Sequence, residues 1–196
     1  MPGPAQVRAL ASDLLAAEGT RLAHVHTAGL VADRISLLFN SEDAELLVAA
    51  ATLHDIGNSA RIAHTGFHPL DGAVFLRAQG YPERLARLVA HHSPAMLTAP
   101  AHGIDDLCEQ FPREDRLLAD ALAYADMHSA PDGRLILAER RLADIAHRHP
   151  DPTEAERAQK LRAALARIGT ALIAAGLDNP HPKGDALQAW RSHPTR

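Results

Sequence analysis

The sequence predicts an all-α fold, a compact helical bundle formed by a single domain. Apolar residues recur at the three- and four-residue spacing of amphipathic helices almost throughout the chain, and most of them are alanine and leucine. Aromatic residues make up only 4% of the chain, runs of β-branched residues are few, and no stretch shows the two-residue alternation of a strand. Prolines and glycines divide this pattern into segments of helical length.

The predicted helices begin and end at recognisable signals. Gly19 and Gly57 end the first and third helices, since glycine is common directly after a helix. Ser41 is the expected N-cap of the third helix, because two acidic residues follow it where the helix dipole favours negative charge. Pro69 and Pro82 suit the first turns of the fourth and fifth helices. The predicted helices cover residues 6–18, 20–38, 41–55, 69–80, 82–92, 104–110, 115–130, 135–148 and 153–175.

Length, charge and cysteine content exclude several classes of protein. The 196 residues suffice for one domain with its own core, which we expect over residues 1–177, followed by a poorly ordered tail over 178–196. The net charge is −4 and the basic residues are scattered, which argues against a nucleic-acid surface. The longest apolar run, 46–53, is far below the roughly 20 residues that span a membrane, so we expect neither membrane insertion nor export. The lone Cys108 cannot form an internal disulfide, which favours the cytoplasm.

An adjacent histidine and aspartate interrupt the apolar pattern at the end of the third predicted helix. His54 and Asp55 directly follow the apolar run 46–53, so both side chains should be directed towards the interior. A buried polar group without a partner costs about 1 to 3 kcal/mol, so something must satisfy the pair. A metal ion is the leading candidate.

Other histidines and a second aspartate lie on the apolar stripes of further predicted helices. Each has a purely structural interpretation, because a buried imidazole can bond a backbone carbonyl. Four such residues on four helices favour a shared cavity, as in the metal sites of helical bundles. His68 at a helix N-terminus and His91 beside His92 are additional candidates. The four residues on apolar stripes are His24, His54, His92 and Asp126.

The type and number of these side chains indicate the metal. Imidazole nitrogen with carboxylate oxygen, and without thiolate, suits Mn, Fe, Co, Ni or Zn. Six or seven ligands are too many for one tetrahedral ion, so we expect two divalent transition-metal ions that share a carboxylate. A water that bridges two cations loses its proton near neutral pH and becomes a nucleophile.

Five separated motifs contain these residues: Arg21-Leu-Ala-His24, Leu53-His54-Asp55-Ile56-Gly57, Gly66-Phe-His68-Pro-Leu-Asp-Gly72-Ala73, Val89-Ala-His91-His92-Ser93 and Tyr124-Ala-Asp126. In this order they resemble the HD superfamily of metal-dependent phosphohydrolases, an all-helical fold named for its adjacent His-Asp pair. The resemblance covers about residues 21–134. The extra histidines are similar to the binuclear branch, which includes dinucleoside tetraphosphate hydrolases and cyclic dinucleotide phosphodiesterases, although the GYP motif of the latter is absent.

The resemblance implies a role for each candidate ligand. Asp55 would bridge the two ions, and His54, Asp55 and Asp126 would carry the reaction. His26 is an alternative to His24 as a ligand. His24 aligns better with the apolar stripe of its helix, however, and it stands three residues after Arg21, as in relatives. The ligands implied for one ion are His24, His54, Asp55 and Asp126, and those implied for the other are His68 and His92, with His91 as an additional candidate.

The expected activity is hydrolysis of a phosphate ester or anhydride in a nucleotide or similar small molecule. Two alternatives stay open: a di-iron oxygenase, because some HD-fold proteins resemble inositol oxygenase, and a regulatory module that binds metal or nucleotide without catalysis. The sequence does not indicate the oligomeric state. Candidates for binding the substrate phosphates, each of which can also be a solvated loop residue, are Asn58, Arg61, His64 and Arg134. The histidines assigned to the surface are His102, His128, His147, His149, His181 and His193.

Overall fold

Helices form nearly all of the regular structure in the computed structural model, which describes residues 1–148 and 152–177. Within these ranges the only strand-like feature is an isolated bridge between Ser129 and Leu135. The predicted all-α class is therefore confirmed, whereas the tail predicted over 178–196 lies outside the described residues. The helices are Pro4–Leu15 (α1), Arg21–Ile35 (α2), Ser41–Leu53 (α3), His68–Ala78 (α4), Glu83–His91 (α5), Leu107–Gln110 (α6), Arg116–Met127 (α7), Ala138–Arg148 (α8) and Pro152–Ala174 (α9).

Both ends of α3 differ from the expectation. Asn40 caps the helix, because its side-chain oxygen accepts a hydrogen bond from the Asp43 amide at 3.0 Å. The expected cap, Ser41, is instead the first helical residue. At its other end α3 stops directly before His54, so His54 and Asp55 lie in the turn that follows rather than within the helix. The pair is buried, as are Ile56 and Gly57 directly after it.

The core lies among α2, α3, α5 and α7 and is built mainly from leucine, alanine and valine side chains. α2 packs along α3, and α7 contacts both, while α4 packs on α5. Full burial of one leucine or valine contributes about 1.5 to 3 kcal/mol, so these contacts fix the relative positions of the helices that carry the candidate ligands. Fully buried residues of this core include Val25, Leu47, Leu53, Leu85 and Leu118.

The helix α9 packs against α7 through both apolar and charged contacts. Its buried side chains include Leu161, Ile168 and Leu172. Arg167 donates two hydrogen bonds to the carboxylate of Asp120, which fixes α9 on α7. Within the described residues, no helix combines the length and the apolar character that crossing a bilayer requires.

The turn after α3 is pressed against the start of α4. A side chain at Gly57 would collide with the carbonyl oxygen of His68, and its Cβ would lie 2.6 Å from the amide nitrogen of Gly72. Only glycine permits two backbones to approach this closely. The contact brings the adjacent pair His54 and Asp55 next to His68.

Candidate metal centre

Six candidate ligands, from three helices and from the turns that follow two others, converge at one end of the core, and all of them except His54 line a cavity of about 250 Å³. His24 comes from α2, His68 from the first position of α4, and Asp126 from the last turn of α7. His92 directly follows α5, in the same way that the adjacent pair follows α3. We call His24, His54 and Asp126 the inner half of the cluster, and Asp55, His68 and His92 the outer half.

The inner half is buried, and its ligand atoms are close together. His24 Nε2 lies 3.3 Å from His54 Nε2 and 3.2 Å from Asp126 Oδ1. His54 Nε2 lies 3.8 Å from the same carboxylate oxygen. None of the three residues is more than 5% exposed. They therefore form a compact N, N, O group of the kind that can hold one ion.

Backbone carbonyls determine which nitrogen of each buried imidazole carries the proton. The Nδ1 atoms of His24, His54 and His92 lie 3.2, 2.8 and 2.6 Å from the carbonyl oxygens of Ala130, Ala51 and Val89. A carbonyl oxygen only accepts, so each Nδ1 donates, and in the neutral ring the lone pair is on Nε2. All three Nε2 atoms point into the cluster. This arrangement, in which a second partner orients a ligating imidazole, is typical of metal sites.

The ligand spacing fits a bound cation. Two imidazole lone pairs that face each other at 3.3 Å, as in His24 and His54, repel unless a proton or a cation lies between them. Two nitrogen ligands at about 2.1 Å from a tetrahedral ion are separated by about 3.4 Å. His68 and His92 repeat the spacing, with 3.1 Å between their Nε2 atoms. The residues present therefore fit divalent transition metals.

Asp55 connects the two halves through its two carboxylate oxygens. Oδ1 lies 3.3 Å from His68 Nε2, 3.7 Å from His92 Nε2 and 3.8 Å from His54 Nε2. Oδ2 accepts a 2.7 Å hydrogen bond from Arg21. Apart from Arg21, every one of these neighbours is a predicted ligand, so Asp55 lies between the two halves; that it bridges two ions stays a prediction.

Both carboxylates are ionised at neutral pH. Burial opposes the charged form of Asp55, but contacts with His54, His68 and His24 outweigh it and hold the pKa well below its usual value. For Asp126 the same penalty of burial is outweighed chiefly by the hydrogen bond from His24 and the charge of His54, which lower the pKa. Two permanent negative charges in one buried cluster favour a cationic occupant.

The two buried histidines with shifted pKa values are affected in opposite directions. Burial, together with positive charge on neighbouring histidines, lowers the pKa of His92 to about 3, so its ring is neutral at neutral pH. For His24 burial is outweighed by the contacts with Asp126 and Asp55, and the pKa is raised. Metals bind the neutral imidazole, so His92 is ready to ligate, whereas His24 must release any proton to do so.

The structure does not bring the predicted phosphate-binding residues into the cavity wall. Arg61 instead forms an exposed ion pair with Asp13 at 2.8 Å, and Arg134 forms one with Asp132 at 2.7 Å. The other two predicted residues are His64, which is exposed and does not line the cavity, and Asn58, whose side chain donates to the Asp55 carbonyl oxygen at 3.0 Å.

Three other histidines lie outside the cluster. His91, an additional candidate ligand, approaches the Phe111 carbonyl oxygen with Nε2 at 2.6 Å and lines a second, larger cavity of about 440 Å³ between α5, α7 and α9. His26 is half-buried on α2 and does not line the cavity. His128 was assigned to the surface, but it is only 2% exposed and its Nδ1 lies 2.8 Å from the Tyr124 carbonyl oxygen.

Arginines line the cavity at positions that the sequence analysis did not assign to the site. Arg21 was included only as part of a motif, and Arg141 and Arg157 were not considered. Arg141 shares a helical stripe with Leu142 and Ile145, both buried, so the criterion applied to the histidines would have identified it. Arg157 is brought to the cavity by the packing of α9, for which the local sequence contains no signal.

These features define an all-helical protein with a histidine and carboxylate centre able to hold metal ions. A family model described as the HD domain matches residues 21–168, and the chain belongs to this family. The resemblance inferred from the five motifs is thereby confirmed. Membership places the protein in a superfamily of metal-dependent hydrolases. Neither the curated proteins nor the solved structures gave a significant match to the chain.

Proposed function

We propose that the protein hydrolyses a phosphate ester or anhydride of a small molecule such as a nucleotide, with two divalent transition-metal ions as cofactors. The observation that carries the proposal is the common orientation of three imidazoles. Carbonyl oxygens fix Nδ1 of His24, His54 and His92, and each Nε2 is thereby directed at the carboxylates of Asp55 and Asp126. Such a prearranged set of ligands suits a metal-dependent hydrolase.

Each half of the cluster has its own part in this function. The inner half would hold one ion in a buried position, and the outer half would hold the second at the cavity, where His68 is partly exposed. Asp55 would contact both ions and orient the attacking water. The ions, when bound, acidify water and neutralise charge on the phosphoryl group.

The charge of the cavity wall supports an anionic substrate. Arg21, Arg141 and Arg157 all line the cavity, next to the candidate ligands. Guanidinium groups bind phosphate oxygens with two parallel hydrogen bonds. An uncharged polyol, which the oxygenase alternative would use, has no group that matches these three cations.

Metal analysis and a substrate screen on one pair of variants test the proposal. We expect two equivalents of metal in the wild-type protein and release of phosphate from at least one phosphoester or nucleotide. Asp55→Ala should lower both metal content and hydrolysis. We expect the loss of activity to exceed about 100-fold, since a bridging ligand should matter more than the groups that merely orient a ligand.

Asp33→Ala is the matched control, because Asp33 is an exposed carboxylate on α2 outside the cluster. It should retain the metal and the activity of the wild type. Phosphate release that survives Asp55→Ala would refute the proposed site. A metal-loaded protein that consumes oxygen with a polyol but releases no phosphate would support the oxygenase instead.

A further inference from the structure

Arg141 on α8 is largely shielded from solvent, yet its guanidinium group is poorly partnered. Its side chain is only 14% exposed, and both Nε and Nη1 are shielded from solvent. Neither atom has a hydrogen-bond partner in the described part of the chain. The nearest carboxylate oxygen, Oδ2 of Asp144, lies 3.8 Å from Nη1, which is too far for a hydrogen bond. A buried cation in this state favours an anionic partner.

The other two arginines of the cavity are already engaged. Arg21 donates to Asp55 at 2.7 Å. Arg157 donates to Glu154 through Nη1, and to the carbonyl and hydroxyl oxygens of Ser93 through Nε and Nη2. Among the arginines that line the cavity in the described residues, Arg141 is therefore the one whose guanidinium group donates no hydrogen bond to a carboxylate.

The surroundings of Arg141 define what kind of ligand could reach it. Arg141 and the candidate ligands His24 and Asp126 line the same cavity, as do the apolar side chains of Met127 and Ile145. Within one cavity of about 250 Å³, one end of a small molecule can therefore face the metal centre while another part faces Arg141. Apolar side chains combined with a few polar groups are typical of the lining of sites that orient a ligand.

We propose that Arg141 forms a second anion-binding subsite in this cavity, so that the substrate carries an oxyanionic group other than the phosphoryl group that is attacked. The inference rests on the proposed function, which it makes more specific. It assigns the substrate to small phosphate esters or anhydrides that carry an additional phosphate or carboxylate group. The guanidinium group of Arg141 would bind that group, and the metal centre would bind the phosphoryl group.

Binding of non-hydrolysable phosphonates tests the subsite without relying on catalysis. The probes are phenylphosphonate and its three carboxylated ring isomers, titrated by calorimetry into the metal-loaded protein. We expect at least one isomer to bind about 10- to 100-fold more tightly than phenylphosphonate, as expected for a hydrogen bond between charged groups. Arg141→Gln should abolish this gain and leave the affinity for phenylphosphonate unchanged.

Arg140→Gln is the matched control, because Arg140 is the exposed neighbour on the same helix. It should retain the full gain. Arg141→Lys keeps the positive charge but not the planar guanidinium group, so this variant should retain part of the gain in affinity. It tests the subsite if Arg141→Gln fails to fold. Equal affinity for all four probes, no binding of any, or a gain that persists in Arg141→Gln would overturn the subsite.

The outcomes also separate this inference from the proposed function. If no phosphoester is hydrolysed but the carboxylate-dependent gain is present and depends on Arg141, the subsite stands and the hydrolytic function fails. If a phosphoester is hydrolysed but all four phosphonates bind equally, the function stands and the subsite fails.

Discussion

The inner and outer halves of the cluster use the same kinds of ligand but hold them to different degrees. In the inner half, His24 and His54 are almost fully buried, and each donates Nδ1 to a backbone carbonyl. In the outer half, His68 has a side chain that is 37% exposed. Its Nε2 lies 3.1 Å from His92 Nε2 and 3.3 Å from Asp55 Oδ1, but within the described residues no backbone carbonyl orients its ring.

This difference indicates two ions of unequal affinity. An imidazole held in one orientation loses little freedom when it binds a metal, whereas His68 must be ordered at that moment. His68 also occupies the first position of α4, where the helix dipole disfavours a nearby cation. We therefore expect the inner ion to survive conditions that remove the outer one.

Removal of an inner ligand should have the largest effect. We expect His24→Gln to lose the inner ion and more than about 100-fold of the hydrolytic activity, because a ligand contributes more than the groups that only orient it. Metal content by mass spectrometry and the phosphoester assay measure both effects. His26→Gln, on the same helix but outside the cluster, should behave as the wild type. Equal losses of metal and activity in His24→Gln and His26→Gln would refute the assignment of the inner half as a metal site.

Removal of the exposed outer ligand should have a smaller, reversible effect. We expect His68→Gln to retain the inner ion and to bind the outer one about 10- to 100-fold more weakly, a loss no larger than that of an orienting group, because the exposed ring of His68 must be ordered when it binds. Activity should then return when metal is added in excess. The comparison between the halves would be wrong if His68→Gln lost both ions, or if excess metal restored His24→Gln equally well.

The sequence revealed the inner half more completely than the rest of the site. In the sequence, His24, His54 and Asp126 share the helical spacing of the neighbouring apolar residues, so their positions in this repeat alone predict burial. His92 was preferred over His91 for the same reason, and the structure turns these neighbours in different directions. Adjacent helical residues differ by about 100° in direction, which the periodicity resolves.

The loop residues could not be placed in this way. Arg61 pairs with Asp13 on α1, 48 residues earlier in the chain, and no local pattern records that packing. Arg141 lies on the apolar stripe of α8, but the stripe criterion was applied in the sequence only to histidines and aspartates. The fold class was predictable, since helical periodicity is local, but the wall of the cavity depends on how α8 and α9 pack.

In the metal-free protein, the pH dependence of stability should report the protonation of His92, one of the outer ligands. The folded-state pKa of His92 is about 3, below the ordinary value of 6.5, so the unfolded chain binds more protons between these values. His92 therefore reduces stability progressively as the pH falls from 6.5 to about 3. His24, whose pKa is raised, acts in the opposite direction and contributes most below pH 6.5.

Urea unfolding of the wild type and of His92→Gln across this range measures the effect. The free energy of unfolding of the wild type should fall relative to that of His92→Gln as the pH is lowered. A constant difference between the two proteins would show that His92 titrates normally in the folded state.

Removal of a hydrogen bond that supports the inner half from outside the cluster should have the smallest effect. The Thr27 hydroxyl donates to the Gly133 carbonyl oxygen at 2.6 Å, and this fixes the segment whose Ala130 carbonyl orients His24. We expect Thr27→Val to lower the free energy of unfolding by about 1 kcal/mol and to weaken only the inner ion. Thr170→Val, an exposed threonine on α9, should leave metal binding unchanged.

The contact between Gly57 and the first turn of α4 limits how this site can vary. Because Gly57 faces the His68 carbonyl oxygen and the Gly72 amide nitrogen without room for a Cβ, any larger residue would push α4 away from the turn after α3. A library randomised at position 57 and selected for activity should return glycine alone. Position 66, where an added Cβ would meet nothing within 4 Å, should accept asparagine, which tolerates the left-handed backbone there. Gly57 would therefore be required for an active metal centre, although it is not itself a candidate ligand.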